Sequence, residues 1–492
     1  LRTPLASFVE ENSVELDWRV CSRARLARDA RFDGKFYIGV HSTRIYCRPI
    51  CHARASREEN VCYFSTAAAA AAAGFRPCLR CRPECSPGTP AWAGTKTTVA
   101  RALRLLNQSS LEEGGVEALA DHLGVGSRHL RRLFLRHLGA TPRDIAQTRR
   151  LHFAKKLIDQ TRLPMTQIAL ASGFGTVRRF NAAIRTVYNR TPTQIRALAR
   201  QTPSDAENQY EFRLVFRRPY SWSYMLQFLA VHAARGIESI EGGCYRRTIS
   251  VKGNEGLLEV SADEARDELR VRVQIGDPGV LFAIIERVRA MFDLDADWSI
   301  IERTLNADRL LAAMLAANPG RRVVGCFDGF ELTVRAILRQ RTRQPKLAPQ
   351  LNGIIETFGR PCSPAAKLTH LFPTPEALCD ADLESMKVPK TQADSIRAVA
   401  RLACFGRIVF DKIADTAEFL HALGECPGIG AQTVAYVAMR ALRDTDAFPM
   451  TSSELKHVLE AAEPHAVQQR TLSWRPWRAY AAVYLSSSLG AN

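Results

Sequence analysis

The sequence has no long hydrophobic run. No stretch of its 492 residues reaches the ~18 uncharged apolar residues that a membrane span requires, so no membrane partner is expected. The run Ala67–Ala73 is too short and too weakly apolar for that role and predicts a helix with small side chains. A secretory leader is not expected either. Glu10, Glu11, Glu15 and Asp17 stand where a positive region and an apolar core would be, and the expected location is cytoplasmic. Acidic residues are scarce in the first 200 positions, where 15 Asp and Glu face 33 Lys and Arg. The rest of the chain holds 35 of each sign, so the formal net charge of +18 belongs wholly to the first part. A generally basic surface would spread its charge; charge confined to one region favours a polyanion, because each phosphate contact releases counterions. Cysteine is sparse after residue 90, with seven of thirteen before it. An odd total in a reducing compartment favours metal binding over disulfides.

The length predicts about three or four domains at ~150 residues each. Four segments are expected. Residues 1–88 are cysteine-rich, with strand signals at Phe36–Val40 and Arg44–Cys47. Residues 95–198 are strongly helical. Residues 209–285 read as α+β, with alternation at Tyr210–Arg217 and Leu269–Ile275 around a helix at Ser223–Arg235. Residues 286–492 read as helical with few strand signals. Ser86-Pro87-Gly88-Thr89-Pro90 and Gln201–Asn208 read as linkers.

The cysteines run Cys47-x3-Cys51, then, after 26 residues, Cys78-x2-Cys81. Two close pairs give a tetrahedral metal one edge each, and four thiolates suit Zn²⁺. Spacing alone leaves a purely structural zinc ribbon open. The flanking residues add more. Tyr46-Cys47-Arg48-Pro49-Ile50-Cys51-His52-Ala53-Arg54, Glu59-Asn60-Val61 and Gly74-Phe75-Arg76-Pro77-Cys78-Leu79-Arg80-Cys81 resemble the N-terminal domain of the Ada alkylation-response proteins over about residues 20–85. The resemblance implies one Zn²⁺ held by Cys47, Cys51, Cys78 and Cys81, with Cys47 also accepting a methyl group from DNA methylphosphotriesters. Arg48, Arg54 and Arg80 are expected beside DNA phosphates; the alternative for each is a solvated surface charge. Cys21, Cys62 and Cys85 read as spare thiols.

Val116, Leu119, Ala120 and Leu123 fall at helical spacing before Gly124-Val125-Gly126 turns the chain. Ser127 is then expected to cap a helix with Arg128, His129, Arg131, Arg132 and Arg136 opposite its apolar face. The pattern recurs at Ile168–Ala171, Gly173-Phe174-Gly175 and a helix capped by Thr176, with Arg178, Arg179, Asn181 and Arg185 outward. Each is a helix-turn-helix with a basic second helix. Two such units, with Ser172-Gly173-Phe174-Gly175 and Arg190-Thr191-Pro192, resemble the AraC-type DNA-binding domain. That implies promoter reading through the major groove.

Pro219-Tyr220-Ser221-Trp222-Ser223, Met291–Asp297, Phe330–Leu338 and Cys426-Pro427-Gly428-Ile429-Gly430 with Thr433 resemble AlkA-type 3-methyladenine DNA glycosylases over about 209–492. Gly428 and Gly430 belong to the hairpin of a helix-hairpin-helix, where backbone amides approach a DNA phosphate unobstructed by Cβ. The site departs from the family pattern. Ser452 stands where the resemblance implies the catalytic Asp, Gln432 and Ser486 where it implies aromatics, and Arg339-Gln340-Arg341-Thr342-Arg343 where an apolar wedge enters the DNA stack. Tyr436 remains as an aromatic of the base pocket. A hydroxyl cannot stabilise the positively charged sugar of base excision; loss of one central stabiliser costs ~10²–10³-fold in rate. Base excision is expected to be absent or severely weakened.

The expected fold is multidomain and mainly α: a small α+β four-cysteine zinc domain, an AraC-type double helix-turn-helix, an α+β AlkA N-terminal-like domain, and an all-α helix-hairpin-helix domain. The expected function is alkylation-damage response, joining methyl transfer to Cys47 with transcription regulation. Alternatives are a bifunctional enzyme that also excises 3-methyladenine, and a non-enzymatic zinc-stabilised regulator. The expected partners are double-stranded DNA, both alkylated and promoter, and RNA polymerase. Nothing resembles the Pro-Cys-His-Arg motif of alkylguanine methyltransferases, so repair of O6-alkylguanine is not expected.

Overall fold

The structure, a computed structural model, describes residues 17–81, 83, 86, 98–108, 115–198, 208–340, 344–365, 367–410, 416–451, 454 and 470–488. Two compact units emerge: residues 1–92, 96–217 and 264–285 form the first, and residues 93–95, 218–263 and 286–492 the second. Of the expected linkers, 87–90 and 201–207 lie outside the described residues. Among the described residues no helix is long and apolar enough to cross a membrane.

The first unit opens with α1 (Trp18–Ala27), capped by the Asp17 carboxylate, and a four-stranded sheet. Its strands are β1 (Tyr37–Val40), β2 (Ile45–Cys47), β3 (Val61–Phe64) and β4 (Arg76–Pro77), in the order β3-β1-β2-β4. Between β3 and β4 lies α2 (Ala67–Ala72), the alanine helix. The Thr66 hydroxyl starts it twice over, accepting the Ala69 amide at 2.9 Å and donating to the Leu138 carbonyl at 3.1 Å. Ala67–Ala70 are buried in one continuous core with Tyr46, Phe75, Leu130, Phe134 and Leu138. The zinc module and the first helix-turn-helix therefore share a core.

Next come α3 (Thr98–Gln108), α4 (Gly115–His122), α5 (Ser127–Leu138), α6 (Pro142–Gln160), α7 (Met165–Ala171), α8 (Val177–Tyr188) and α9 (Pro192–Ala197). The two turns need left-handed backbone at Gly124 (φ +66°) and Gly173 (φ +74°). Thr176 caps α8 through the Arg179 amide, as the sequence predicts. Ser127 does not cap α5. Gly126 occupies the cap position in extended backbone, Ser127 is the first helical residue, and no side chain caps this end. The 19-residue α6 joins the two helix-turn-helix units and starts with a reciprocal capping box between Thr141 and Asp144. The first compact unit closes with the antiparallel pair Gln209–Val215 and Glu268–Ile275, whose alternating Phe212, Leu214, Val271 and Val273 face inward.

The second unit contains helix Trp222–His232 and the antiparallel strands Glu238–Glu241, Cys244–Val251 and Asn254–Asp263. Helices dominate the remainder. Gly329–Arg339, Lys390–Cys404, Thr416–Gly424 and Ala431–Arg440 enclose a core that includes Val334, Ile337, Ile396, Val399, Leu423 and Val437. A second core gathers Trp298, Trp474, Trp477 and Tyr484. The hairpin Pro361–Ala365 and Leu368–His370 is the small β element here.

Candidate functional site

Sheet geometry assembles the four cysteines. Strand β2 pairs antiparallel with β1, placing Cys47 opposite Ile38, and parallel with β4, placing Tyr46 beside Pro77. The Cys78 amide donates to the Tyr46 carbonyl at 3.0 Å, so Cys47 and Cys78 leave adjacent strand ends together. A turn closed by the Cys51 amide on the Arg48 carbonyl, at 3.1 Å, brings Cys51 back. All four sulfurs lie within 4.8 Å of one another. A tetrahedral Zn²⁺ with Zn–S near ~2.3 Å needs sulfurs about 3.8 Å apart, so the donor set and spacing fit. The cluster holds one Zn²⁺.

The sulfurs are not equivalent. Cys81 accepts the Arg48 amide at 3.3 Å. An amide hydrogen bond draws charge from a thiolate and weakens it as a nucleophile. Burial pushes the spare thiols up, Cys21 to about 12 and Cys62 to about 11, so both stay protonated at neutral pH. Cys85 lies outside the described residues.

Cys47, Cys51 and Cys78 border a groove of about 720 Å³. Among the described residues seven arginines line it and no carboxylate does. Two of the seven are committed internally. Arg25 pairs with Glu58 at 2.5 Å. Arg48, expected at DNA, is buried: its guanidinium pairs with Asp33 and donates to the Cys81 carbonyl at 3.1 Å. It braces the cluster from inside. Arg54 and Arg80 do line the groove, joined by Arg28, Arg76 and Arg190, for which the sequence pattern implied no DNA contact.

Arg128, His129, Arg131 and Arg132 on α5 are exposed, as are Arg178, Arg179 and Asn181 on α8. The opposite faces bury Leu130, Phe134 and Leu138, and Phe180, Ile184 and Tyr188.

In the second unit Gly428 (φ +78°) forms the hairpin turn, with a built Cβ only 2.6 Å from Ser395 Oγ. Gly428 and Gly430 are exposed, and Gly430 caps helix Ala431–Arg440. Thr433 is buried instead, its hydroxyl accepting the Gln340 amide. Tyr436 is half-buried and accepts from Arg440, whose guanidinium sits 4.6 Å from the Phe228 ring and 5.2 Å from that of Tyr436. Gln432 donates to the Pro449 carbonyl at 3.1 Å, and Ser486 to the Val483 carbonyl at 3.3 Å. Ser452 and residues 341–343 lie outside the described residues. The two acidic residues nearest Ser452 in sequence are committed. Glu454 accepts the Thr451 amide at 2.6 Å and its hydroxyl at 2.7 Å in a capping box. Asp446 binds Arg478 at 2.7 and 3.0 Å and Arg475 at 3.1 Å.

A thiolate metal cluster, paired helix-turn-helix units and a helix-hairpin-helix together define a DNA-repair protein that is also a regulator. Comparisons with known proteins agree segment by segment. The metal binding domain of Ada matches residues 20–84, a helix-turn-helix domain residues 119–198, and the AlkA N-terminal domain residues 211–328. The probable bifunctional transcriptional activator/DNA repair enzyme AlkA of Mycobacterium tuberculosis is 35% identical over 481 residues, 96% of this chain and 97% of that protein. The chain belongs to this family of bifunctional transcriptional activator/DNA repair enzymes. Two Escherichia coli proteins match its parts. DNA-3-methyladenine glycosylase 2 is 28% identical over 56% of this chain and 96% of its own length. The bifunctional activator/repair enzyme Ada is 39% identical over 30% of this chain and 40% of its own.

Proposed function

We propose that this DNA-repair enzyme takes a methyl group from a DNA methylphosphotriester onto Cys47, and that the transfer switches its grip on promoter DNA. The supporting observation is the position of Cys47: at the end of β2, among the four clustered sulfurs, it borders a groove whose described charged lining is all arginine. Bound Zn²⁺ keeps the thiolate deprotonated at neutral pH while leaving it nucleophilic. Cys47 Sγ attacks the methyl carbon; the S–C bond forms, the C–O bond breaks, and the phosphodiester leaves with the electron pair. Four thiolates and one Zn²⁺ carry −2, and methylation reduces this to −1. Weaker repulsion of the phosphate backbone then tightens binding. Double-stranded DNA is the partner, both alkylated and promoter, with RNA polymerase as the regulatory contact in a reducing cytoplasm. We place the functional borders at residues 1–88, 95–198, 209–285 and 286–492, and read the last as a DNA-binding domain without effective base excision. The commitment of Glu454 and Asp446 supports that reading, since neither is free to replace an Asp at Ser452.

The test is transfer of labelled methyl groups from methylphosphotriester duplex to the zinc-loaded chain, with peptide mapping. The label is expected on Cys47 and is lost in Cys47→Ser. Zinc-loaded protein that takes up no label would leave a non-enzymatic regulator.

A further inference from the structure

We propose that the groove beside Cys47 is a composite phosphate-binding site in which Arg190, from the second helix-turn-helix, positions the methylated strand for transfer. The proposal rests on the reading of Cys47 as methyl acceptor and adds a residue from a different domain to that reaction.

Five guanidinium groups line the groove without an ion-pair partner among the described residues: Arg28, Arg54, Arg76, Arg80 and Arg190. Four belong to the zinc module. Arg190 arrives because β4 packs against α8, which brings the end of that helix to the groove. Its placement is held from both sides. Asn189 ends α8 in left-handed backbone (φ +51°), and Thr191 then starts α9 with a capping box to Gln194 and Pro192 in the first turn. Arg190 thus projects from a rigid corner between two helices, and it is exposed. Tyr188, two residues back on the same wall, is buried and anchors that corner.

The chemistry identifies the occupant. Five guanidiniums with neither an ion-pair partner nor a carboxylate beside them among the described residues suit a run of phosphodiesters, bound through charge-assisted, often bidentate hydrogen bonds. A methylphosphotriester is locally neutral, so the phosphates flanking it must hold the strand while its methyl faces Cys47. Arg190 would hold one such flanking phosphate, acting through position rather than on the reacting atoms. Lesion capture and engagement of the second helix-turn-helix then occur on one DNA segment.

The test is single-turnover methyl transfer by the full zinc-loaded chain on a random-sequence duplex with one methylphosphotriester, at several DNA and salt concentrations. Arg190→Gln is expected to lower the second-order rate by about 3- to 10-fold and leave the rate at saturating DNA unchanged. Its log-affinity against log-salt slope should flatten by about one phosphate contact. Arg190→Lys should recover most of the rate, because the charge is kept. Wild-type rates and an unaltered slope in Arg190→Gln would overturn the proposal, as would a lowered zinc content with an equal loss at saturation, which marks a structural role. Anisotropy binding of the same duplex reads the slope independently of chemistry. A wild-type chain that transfers no methyl therefore sinks the Cys47 reading, while the slope still decides on Arg190.

Discussion

Tyr46 Oη lies 3.0 Å from His152 Nε2, joining the residue before Cys47 to the long helix α6 between the two helix-turn-helix units. Tyr46 is almost fully buried, and its ring packs edge-on against Tyr37. A change at the cluster is thus one residue and one hydrogen bond from the DNA-binding scaffold. Tyr46→Phe should cost about 1 kcal/mol. For a unit of this size that lowers the melting temperature by about 2–4 °C. Zinc content should stay at one per chain. Calorimetry with a zinc assay checks this, and an unchanged melting temperature would show the bond to be incidental.

Arg48 and Asp33 form a buried ion pair against the metal cluster. Breaking such a pair by removing one partner costs about 3–5 kcal/mol, because a charge is left buried alone. Asp33→Asn and Arg48→Met should each lose zinc at chelator concentrations the wild type withstands. By contrast Arg54→Gln and Arg80→Gln, at the groove, should retain zinc and weaken DNA binding. Equal zinc retention in all four variants would remove the distinction between brace and groove.

His232 is held neutral. Burial, with Arg440 and Arg339 nearby, pushes its pKa down to about 3. Nδ1 faces the Phe228 carbonyl at 2.7 Å and Nε2 faces Arg339 at 2.5 Å, which suits one donor and one acceptor. Below pH ~6.5 the unfolded chain binds a proton that the folded chain refuses. Stability therefore falls with acidification between about pH 6.5 and pH 3, at up to ~1.4 kcal/mol per unit from this residue. In a His232→Gln variant the pH profile of denaturant unfolding should be flatter over that window. An unaltered slope there would mean His232 titrates normally.

Restoring one carboxylate should not restore base excision. Ser452→Asp should form no more abasic sites on 3-methyladenine DNA than the wild type, because Gln432 and Ser486 remain where the AlkA resemblance implies aromatics and the Gln432 amide is already hydrogen-bonded to the Pro449 carbonyl. Robust turnover by the wild type, abolished in Ser452→Ala, would overturn the reading of this domain.

The zinc ligands were legible in the sequence because each pair is local: a turn or strand end fixes two sulfurs, and only one long-range pairing, β2 with β4, remains. The helix-turn-helix units were legible for the same reason, since spacing and turn glycines are local signals. The fate of Arg48 was not. Its partner Asp33 is fifteen residues away in the turn before β1, and an Arg beside reactive cysteines looks alike whether it faces DNA or the interior. Arg190 stands out in the sequence only as part of the Arg190-Thr191-Pro192 segment of the AraC resemblance, and only tertiary packing moves it to the groove. The Ser127 cap failed by one residue, because extended backbone at Gly126 lets the helix start without a side-chain cap.

The alanine helix α2 looks like low-complexity filler, yet its length is constrained. Four of its residues are buried, and a Cβ built on Gly139 would come 3.2 Å from that of Ala69. Adding or losing a single alanine would rotate everything after it by about 100° about the helix axis. The strand that carries Arg76 and delivers Cys78 follows within a few residues. A run that tolerates alanine for alanine at every place has, as a register, no tolerance at all. A one-residue slip there would change no side-chain chemistry and would still unseat the metal.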